Sequence, residues 1–311
     1  MRVTILGTES LGVRGLSCLV EAKERKIVID PGLALGYQRH GLLPHPFQVA
    51  VGERVRRKIV EVLKDCTDIV ISHFHGDHIP LANANPYQLA ANQVVQHFQK
   101  PRLWCKGTHD LSVAMLKRCK DLSEILCRHF PKSEGENHGL LSFSRSVPHG
   151  EHNSRQGTVM MTRIKDRTEV FVHASDIQLL DGEPISQILD WKPDILLVSG
   201  PPLYLQHISS TMKKNAWQNA LRLAREVETL ILDHHLLRCM EGSRFLKDLS
   251  FMTKHRVISA ADYAGKKPLP LEALRQRLYR ELPVSKGWHK AYASGEADTK
   301  HYKNWRGWKL T

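Results

Sequence analysis

Three features are missing from this sequence, and each absence argues against a class of protein. No apolar run reaches the length of about 18 residues that predicts a membrane span. The opening residues, Met1 to Gly7, carry neither the long apolar region nor the cleavage site of a signal peptide. The six cysteines are dispersed and form no C-x-x-C pair, which argues against a cysteine-ligated zinc site and a disulfide framework. We therefore expect a cytoplasmic protein with no membrane association.

Positive charge, in contrast, is abundant. The chain has 45 Lys and Arg residues against 32 Asp and Glu residues, which gives a formal net charge of +13 at pH 7. Such a surface attracts polyanions, including nucleic acids and phosphorylated metabolites. A generically basic proteome or an adaptation for solubility explains the same excess. The net charge therefore predicts the sign of a partner's charge and not the partner's chemistry.

The segment S-H-F-H-G-D-H, which ends at His78, carries the strongest chemical signal. It gathers three imidazoles and one carboxylate directly after a short apolar strand at residues 68–71. His73 and His75 are two residues apart, so an extended backbone points both side chains to one side. Asp77 and His78 are adjacent and diverge toward a second point in space. One metal ion cannot easily take all four side chains but two neighbouring ions can, so the pattern predicts a two-metal hydrolase site.

This H-x-H-x-D-H motif after an apolar strand resembles the metallo-β-lactamase superfamily of metallo-hydrolases. The resemblance implies the α/β (α+β) class and a four-layer αββα sandwich, in which helices flank two mixed β-sheets. Strand-rich halves that are separated and followed by helices suit this architecture over roughly residues 1–265. The segments V-I-D-P-G and L-D-H-H-L-L-R look similar to an archaeal branch of the superfamily. The glycine-rich residues 6–15 resemble, more distantly, the opening of ribonuclease Z-like enzymes.

Further ligands are expected where later strands end. His149, in Val-Pro-His-Gly, is the best candidate for the third ligand of the first ion, with His138 and His152 as competitors. Asp176, in His-Ala-Ser-Asp, is the candidate for a carboxylate that bridges both ions, although it could instead cap a helical turn. His173 is expected to pack within its strand. In the resembling superfamily the ligands follow this same order of H-x-H-x-D-H, His, Asp and His.

The last ligand is an alternative between His234 and His235. We favour His234 because it lies closer to the end of the preceding apolar strand, and His235 would then contact substrate or donate a proton. Asp77 and His235 are the candidate catalytic residues, and Asp30 either orients His78 or simply forms an Asp-Pro-Gly turn. The expected ligands are His73, His75 and His149 for one ion, Asp77, His78 and His234 for the other, and Asp176 for both. Two divalent ions are implied, with zinc best suited to the His-rich set and manganese or iron as alternatives.

We expect one large domain over residues 1–283 that contains a helical insertion at about 80–138. Within that insertion, residues 86–98 and 110–130 are predicted to be helices joined through residues 101–104.

Two other segments are expected to lie outside the regular elements. Residues 33–52 are predicted to form a loop that includes His40 and His45. Residues 284–311 form a basic, aromatic C-terminal tail, whose rings either stack on nucleic-acid bases or dock the tail against the domain.

The sequence supports one leading interpretation and two alternatives. The leading one is a binuclear metal-dependent hydrolase that uses a metal-bridging hydroxide on phosphodiester substrates, RNA or a nucleotide. The same site could instead hydrolyse a small ester, lactone or thioester. A protein of another class, which binds nucleic acid and carries an inactive metal site, is the third interpretation.

Overall fold

The first half of the chain folds into a five-stranded sheet. A computed structural model describes residues 1–152, 157–305 and 307–309. The strands lie in chain order and are β1 (Arg2–Gly7), β2 (Ser17–Ala22), β3 (Arg25–Ile29), β4 (Asp68–Ile71) and β5 (Arg102–Cys105). Strands β1 to β3 are antiparallel, whereas β3, β4 and β5 run parallel. Helix α1 (Pro46–Leu63) connects β3 to β4, and α2 (Val113–Leu126) follows β5.

The second half forms a seven-stranded sheet and a separate two-stranded ribbon. Their strands are β6 (Asn137–His138), β7 (Leu141–Phe143), β8 (Val147–Pro148), β9 (Thr158–Val159), β10 (Thr162–Asp166), β11 (Glu169–His173), β12 (Ile195–Val198), β13 (Thr229–Leu232) and β14 (Arg256–Ile258). The sheet has the order β14-β13-β12-β11-β10-β7-β6, and β8 pairs with β9. Strands β11 to β14 are parallel. The helices of this half are α3 (Gly182–Asp190), α4 (Ser210–Glu226), α5 (Met240–Thr253) and α6 (Ala260–Tyr263).

Alternation along the strands divides the apolar residues among three cores. Ile27 and Ile29 of β3 lie between the two sheets, in a core that also contains Leu197 of β12. Val28 points the other way, into the core beneath α1 and α2. Leu196 lies in the third core, between the second sheet and helices α3 to α5. Three cores separate four layers, which confirms the αββα sandwich.

Helix α1 corrects the predicted loop at residues 33–52, because it begins at Pro46. Proline suits the first helical position, where its missing N–H would have no helical partner. The His45 side chain caps this end by accepting a hydrogen bond from Phe47 N, whereas His40 is exposed. No helix in the described ranges is long and apolar enough to cross a membrane.

The predicted helical insertion at about 80–138 is wrong in two places. Of residues 101–104, predicted to join two helices, residues 102–104 lie in β5, the edge strand of the first sheet. Residues 86–98 contain two short 3₁₀ helices, Ala91–Gln93 and Val95–Phe98, instead of one α-helix. The second predicted helix is confirmed as α2.

The C-terminal tail docks against the domain. Helix α7 (Arg275–Glu281) lies just before the tail. The tail contains α8 (Trp288–Ser294), β15 (Asn304–Trp305) and β16 (Trp308–Lys309). Trp288, Tyr302 and Trp305 are buried in the core beneath α1. Buried rings cannot stack on bases, so docking is the alternative that the structure supports for these three. Arg306 of the predicted tail lies outside the described residues.

Candidate metal centre

The predicted ligands meet where strands of both sheets end. The H-x-H-x-D-H segment follows β4 of the first sheet, and His149 follows β8. Asp176 comes shortly after β11, and His234 after β13. Strands β11 and β13 run parallel with β12 between them, so their carboxyl ends lie at one edge of the sheet. Such an edge is the usual position for a site in parallel sheets.

One group of side chains surrounds a single oxygen of Asp176, and we call it the first subsite. His149 Nε2 lies 3.1 Å, His73 Nε2 3.4 Å and His75 Nδ1 3.8 Å from Asp176 Oδ2. The four ligand atoms offered by these residues all lie within 4.8 Å of one another. Three imidazoles and a carboxylate at this spacing are a typical zinc ligand set.

The second subsite faces the other oxygen of the same carboxylate. His78 Nε2 lies 3.1 Å and His234 Nε2 3.4 Å from Asp176 Oδ1. Asp77 Oδ2 lies 3.4 Å from His234 Nε2, and Asp77, His78 and His234 form one potential ligand group. Asp176 therefore presents one oxygen to each subsite, as a bridging carboxylate does.

Buried atoms that lack hydrogen bonds in this centre fit metal ions. His73 Nε2, His78 Nε2 and Asp176 Oδ1 are buried and make no hydrogen bond within the described residues. Buried polar atoms without hydrogen bonds are costly. A divalent cation at each subsite would satisfy them, because lone pairs from nitrogen and oxygen converge there.

A hydrogen-bond relay behind the ligands fixes their orientation. His78 Nδ1 donates to Asp30 Oδ2 at 2.9 Å, which confirms the predicted role of Asp30. The Ser72 hydroxyl donates to the same oxygen at 2.6 Å and accepts from His73 Nδ1 at 3.0 Å. The Ser175 hydroxyl lies 2.6 Å from Ser72 Oγ. With their Nδ1 atoms protonated, His73 and His78 turn their Nε2 lone pairs toward the subsites.

Gln178 supports the opposite side of the centre. Its side-chain amide lies 3.1 Å from His149 Nδ1 and 3.2 Å from His235 Nδ1. His235 Nε2 is 3.5 Å from Asp176 Oδ2, so both members of the predicted His234/His235 pair reach the bridging carboxylate. His234 groups with Asp77 and His78, as favoured, and His235 lies on the side of the first subsite.

Backbone strain marks the strand ends that carry the centre. Asp30, Ser175 and His234 have φ values of +48°, +53° and +25°, a region that non-glycine residues seldom adopt. Gly32 permits the close approach of the ligand segment, because a Cβ atom there would lie 2.2 Å from the carbonyl carbon of His78. Of the twenty residue types, only glycine fits at that position.

Burial keeps most of the ligand rings neutral. Burial, and then the charges of His78 and His75, lowers the pKa of His73 to about 3. Burial is also the main reason that the pKa values of His75, His234 and His235 are lowered. Neutral imidazole is the form that binds a metal ion.

The carboxylates of the centre are ionised. Burial would raise the pKa of Asp176, but its histidine neighbours, above all the charged His78, hold it well below its usual range. Burial would likewise lower the pKa of His78, but Asp176 and Asp30 together raise it well above the ordinary value. A divalent ion at the second subsite would therefore replace the proton on His78.

Comparison with known proteins agrees with this geometry. Residues 12–84 match the metallo-beta-lactamase superfamily. A UPF0282 protein of Methanosarcina mazei is 52% identical over 302 residues, covering 97% of this chain and 99% of that protein. The chain belongs to the UPF0282 family. The ligand groups described above suit a metal-dependent hydrolase.

Solved structures show the same fold at low sequence identity. The metallo-beta-lactamase fold protein YhfI from Bacillus subtilis has a TM-score of 0.52 and 14% identity, covering 86% of this UPF0282 chain and 97% of that one. The isothiocyanate hydrolase from Delia radicum gut bacteria has a TM-score of 0.51 and 14% identity, covering 83% and 95%. Both structural similarities are evidence for the fold alone.

The competing histidines of this UPF0282 chain lie outside the centre. His138 is exposed and contacts Glu136, and His152 is exposed as well. His173 is buried in β11, where its Nε2 donates to the Leu16 carbonyl oxygen at 2.8 Å, as expected for a packed strand histidine.

Asp233 has a structural role beside the centre. Its Oδ1 accepts hydrogen bonds from the Thr8 hydroxyl, Ser10 N and His234 N, each at 2.9 Å, and its Oδ2 accepts from Ala260 N at 2.9 Å. This carboxylate therefore joins the first loop of the chain to the end of β13 and the start of α6.

Sequence reasoning missed two contributors to the centre. Gln178 follows Asp176 by two residues, and Arg238 follows His234 by four, at the end of a 3₁₀ turn. Arg238 Nη2 lies 2.7 Å from His234 Nε2 and 3.3 Å from Asp77 Oδ2. The spacing of four residues, which places two side chains on one face of a turn, is the signal that could have suggested Arg238.

Proposed function

We propose that this chain is a binuclear metal-dependent hydrolase that acts on phosphodiesters of RNA or of a nucleotide. The observation that supports two ions is Asp176, whose two oxygens face two separate groups of ligands. A carboxylate shared in this way suits two ions about 3.5–4 Å apart.

The chain's own side chains divide the work of the centre. When bound, a pair of divalent ions polarises the attacked group and lowers the pKa of a shared water. Asp30 and Ser72 hold the rings of His78 and His73, so that the lone pairs of both point inward. On the opposite side, the Gln178 amide contacts Nδ1 of both His149 and His235 and fixes the positions of these two rings.

His235 and Asp77 are the residues that we propose to act nearest the reaction. His235 is 6% exposed, and its Nε2 lies 3.5 Å from Asp176 Oδ2, where the neutral ring can contact substrate. The side chains of Asp77 and His75 are 17% and 27% exposed, which marks the open side of the centre. Substrate would approach from this side.

Charge supports an anionic substrate. The chain carries a net charge of +13, and Arg238 places a permanent cation beside Asp77. Arg39 contacts the Tyr204 ring as well, and the guanidinium carbons of Arg39 and Arg238 lie 4.9 Å and 5.6 Å from its centroid. A phosphodiester is attracted to such a region, whereas a neutral ester is not. Zinc suits the ligand set best, and manganese and iron are the alternatives.

The test combines metal content with diesterase activity. Protein reconstituted with excess zinc, manganese or iron is analysed for bound metal and for turnover of bis-(p-nitrophenyl) phosphate. We expect near two ions per chain. We also expect Asp176→Asn to lower kcat/KM by at least the ~100-fold that loss of groups supporting a ligand can cause. Asp181→Asn is the matched control, because Asp181 caps α3 five residues later and contacts no ligand of the centre.

Each of the other outcomes would support a different function. Two ions without diesterase turnover would contradict the phosphodiester substrate and favour an ester, lactone or thioester. Salt-sensitive RNA binding without metal-dependent turnover would indicate a binding protein. Failure to bind any of the three metals stoichiometrically would refute the hydrolase itself.

A further inference from the structure

Arg238 lies inside the second subsite, among ligands that should receive a cation. It is 6% exposed, and its Nη2 contacts both His234 Nε2 and Asp77 Oδ2. Its Nη1 donates to the Tyr204 hydroxyl at 3.0 Å, and its guanidinium stacks on the same ring. Tyr204 therefore anchors the positive charge at this position.

The two subsites share the Asp176 carboxylate but differ in the charges beside it. The ion-pair partner of His73 and of His75 is Asp176, which attracts a metal ion. The second subsite adds Asp77 to the shared Asp176, but the charge of Asp77 is opposed by the guanidinium that contacts it. A divalent ion that binds there meets a like charge at short range, in a buried position where screening is weak.

The His234 ring is also less prepared for an ion than the His78 ring. Gly15 N donates to its Nδ1 at 3.2 Å, whereas His78 Nδ1 faces the acceptor Asp30. Arg238 Nη2 lies 2.7 Å from Nε2 and 3.3 Å from Nδ1 of His234, so the guanidinium covers the face of this ring. A neutral imidazole that accepts from Gly15 N on Nδ1 carries its proton on Nε2. An ion at this ring would have to replace that proton next to the guanidinium.

We propose that Arg238 makes the two subsites unequal, so that the first binds its ion tightly and the second binds only in competition with the Arg238 guanidinium. This inference rests on the proposed binuclear centre. Arg238 is thus a positioning residue that sets the occupancy of the second subsite. The enzyme would hold one ion at low metal concentration and become binuclear as the concentration rises.

Calorimetric titration of the full-length, metal-free chain with zinc alone tests this proposal, with a competing chelator for the tight site. We expect two dissociation constants in the wild type that differ by at least about tenfold, or about 1.4 kcal/mol. Arg238→Met, which keeps an unbranched apolar side chain but removes the guanidinium and its charge, should tighten only the weaker constant, by about tenfold or more. Arg238→Lys should keep the inequality, because it keeps the cation.

Arg39→Met is the matched control. Arg39 also stacks on Tyr204, and its Nη2 donates to the Arg238 carbonyl oxygen, but it contacts no ligand of the centre. We expect both constants to be unchanged in this variant. Should Arg238→Met not fold, Arg238→Gln replaces it, because its amide can still bond to Asp77.

The outcomes separate this inference from the proposed function. Equal constants in the wild type, or an unchanged difference in the neutral Arg238 variants, would overturn the role of Arg238 and leave the binuclear centre standing. Absence of the tight ion in every protein would overturn the proposed function instead.

Discussion

Asp30→Asn is the substitution that best tests the support of the metal ligands. The Asp30 carboxylate accepts three hydrogen bonds, from Ser72 N at 2.8 Å, from the Ser72 hydroxyl at 2.6 Å and from His78 Nδ1 at 2.9 Å. Two of these donors share Oδ2. The best orientation of an asparagine keeps its oxygen toward that pair and turns its NH₂ group toward Ser72 N, so one buried donor loses its partner.

The structure gives the size of two effects. One unsatisfied buried donor costs about 1–3 kcal/mol of unfolding free energy. Loss of the negative charge behind His78 makes its ring a weaker ligand, and such partners change metal affinity by about 10–100-fold. Burial would raise the pKa of Asp30, but the hydrogen bond and the charge of His78 hold it below its ordinary value, so the wild-type group is charged at neutral pH.

The assay is zinc titration beside urea denaturation, with Asp68→Asn as the control. Asp68 starts the same strand β4 and accepts hydrogen bonds from Arg25 and Trp104, at the end of the strand away from the ligands. We expect both variants to lose stability and only Asp30→Asn to lose metal affinity. If Asp30→Asn bound zinc as the wild type does, the orienting role of Asp30 would be refuted.

Two further predictions concern the regions around the centre. The pKa of His45 is lowered by burial to about 4, and its neutral ring caps α1 through Nδ1 and donates from Nε2 to the Leu282 carbonyl oxygen. A lowered pKa contributes stability that is complete above the unfolded value near 6.5 and is lost as the pH falls toward 4. The unfolding free energy of the wild type relative to His45→Asn should therefore fall by about 2 kcal/mol between about pH 7 and pH 5. Urea denaturation over this range, with exposed His40→Asn as the control, checks it, and a constant difference would contradict it. Trp305→Ala should lower the unfolding free energy by about 3–5 kcal/mol and leave RNA affinity unchanged, because the ring is buried and contacts Phe47. A filter-binding assay that showed weaker RNA binding by a fully stable variant would contradict this docking role.

The centre was predictable where chemistry is local in the sequence. The H-x-H-x-D-H segment was recognisable because four potential ligands follow one buried strand within a few residues. His149, Asp176 and His234 were found because each lies just beyond a strand, and Asp30 because it ends β3 next to β4.

The contributions of Gln178 and Arg238 depend on contacts across the chain. Gln178 meets a histidine 57 residues away, and Arg238 meets Asp77 161 residues away. Gln178 carries no local signal of metal chemistry, and the local signal of Arg238 is limited to its spacing of four residues from His234. The sequence did not predict β5, because its four residues follow Pro101 and include Arg102. Hydrogen bonds to β4 form a strand where a connection between two helices was expected.

The hydrogen bonds of Asp233 imply that the centre is assembled well after its H-x-H-x-D-H motif has been synthesised. Thr8 and Asp233 are 225 residues apart, and the loop between them must close before the first loop of the chain is fixed beside β13. During synthesis at about 5–20 residues per second, the roughly 150 residues between His78 and His234 take on the order of ten to thirty seconds to add. Over that interval the nascent chain displays three histidines and an aspartate, and the second subsite lacks His234 until the end of it. A metal ion that bound during this interval would contact only part of the ligand set, exposed to solvent. The complete centre therefore forms late in folding.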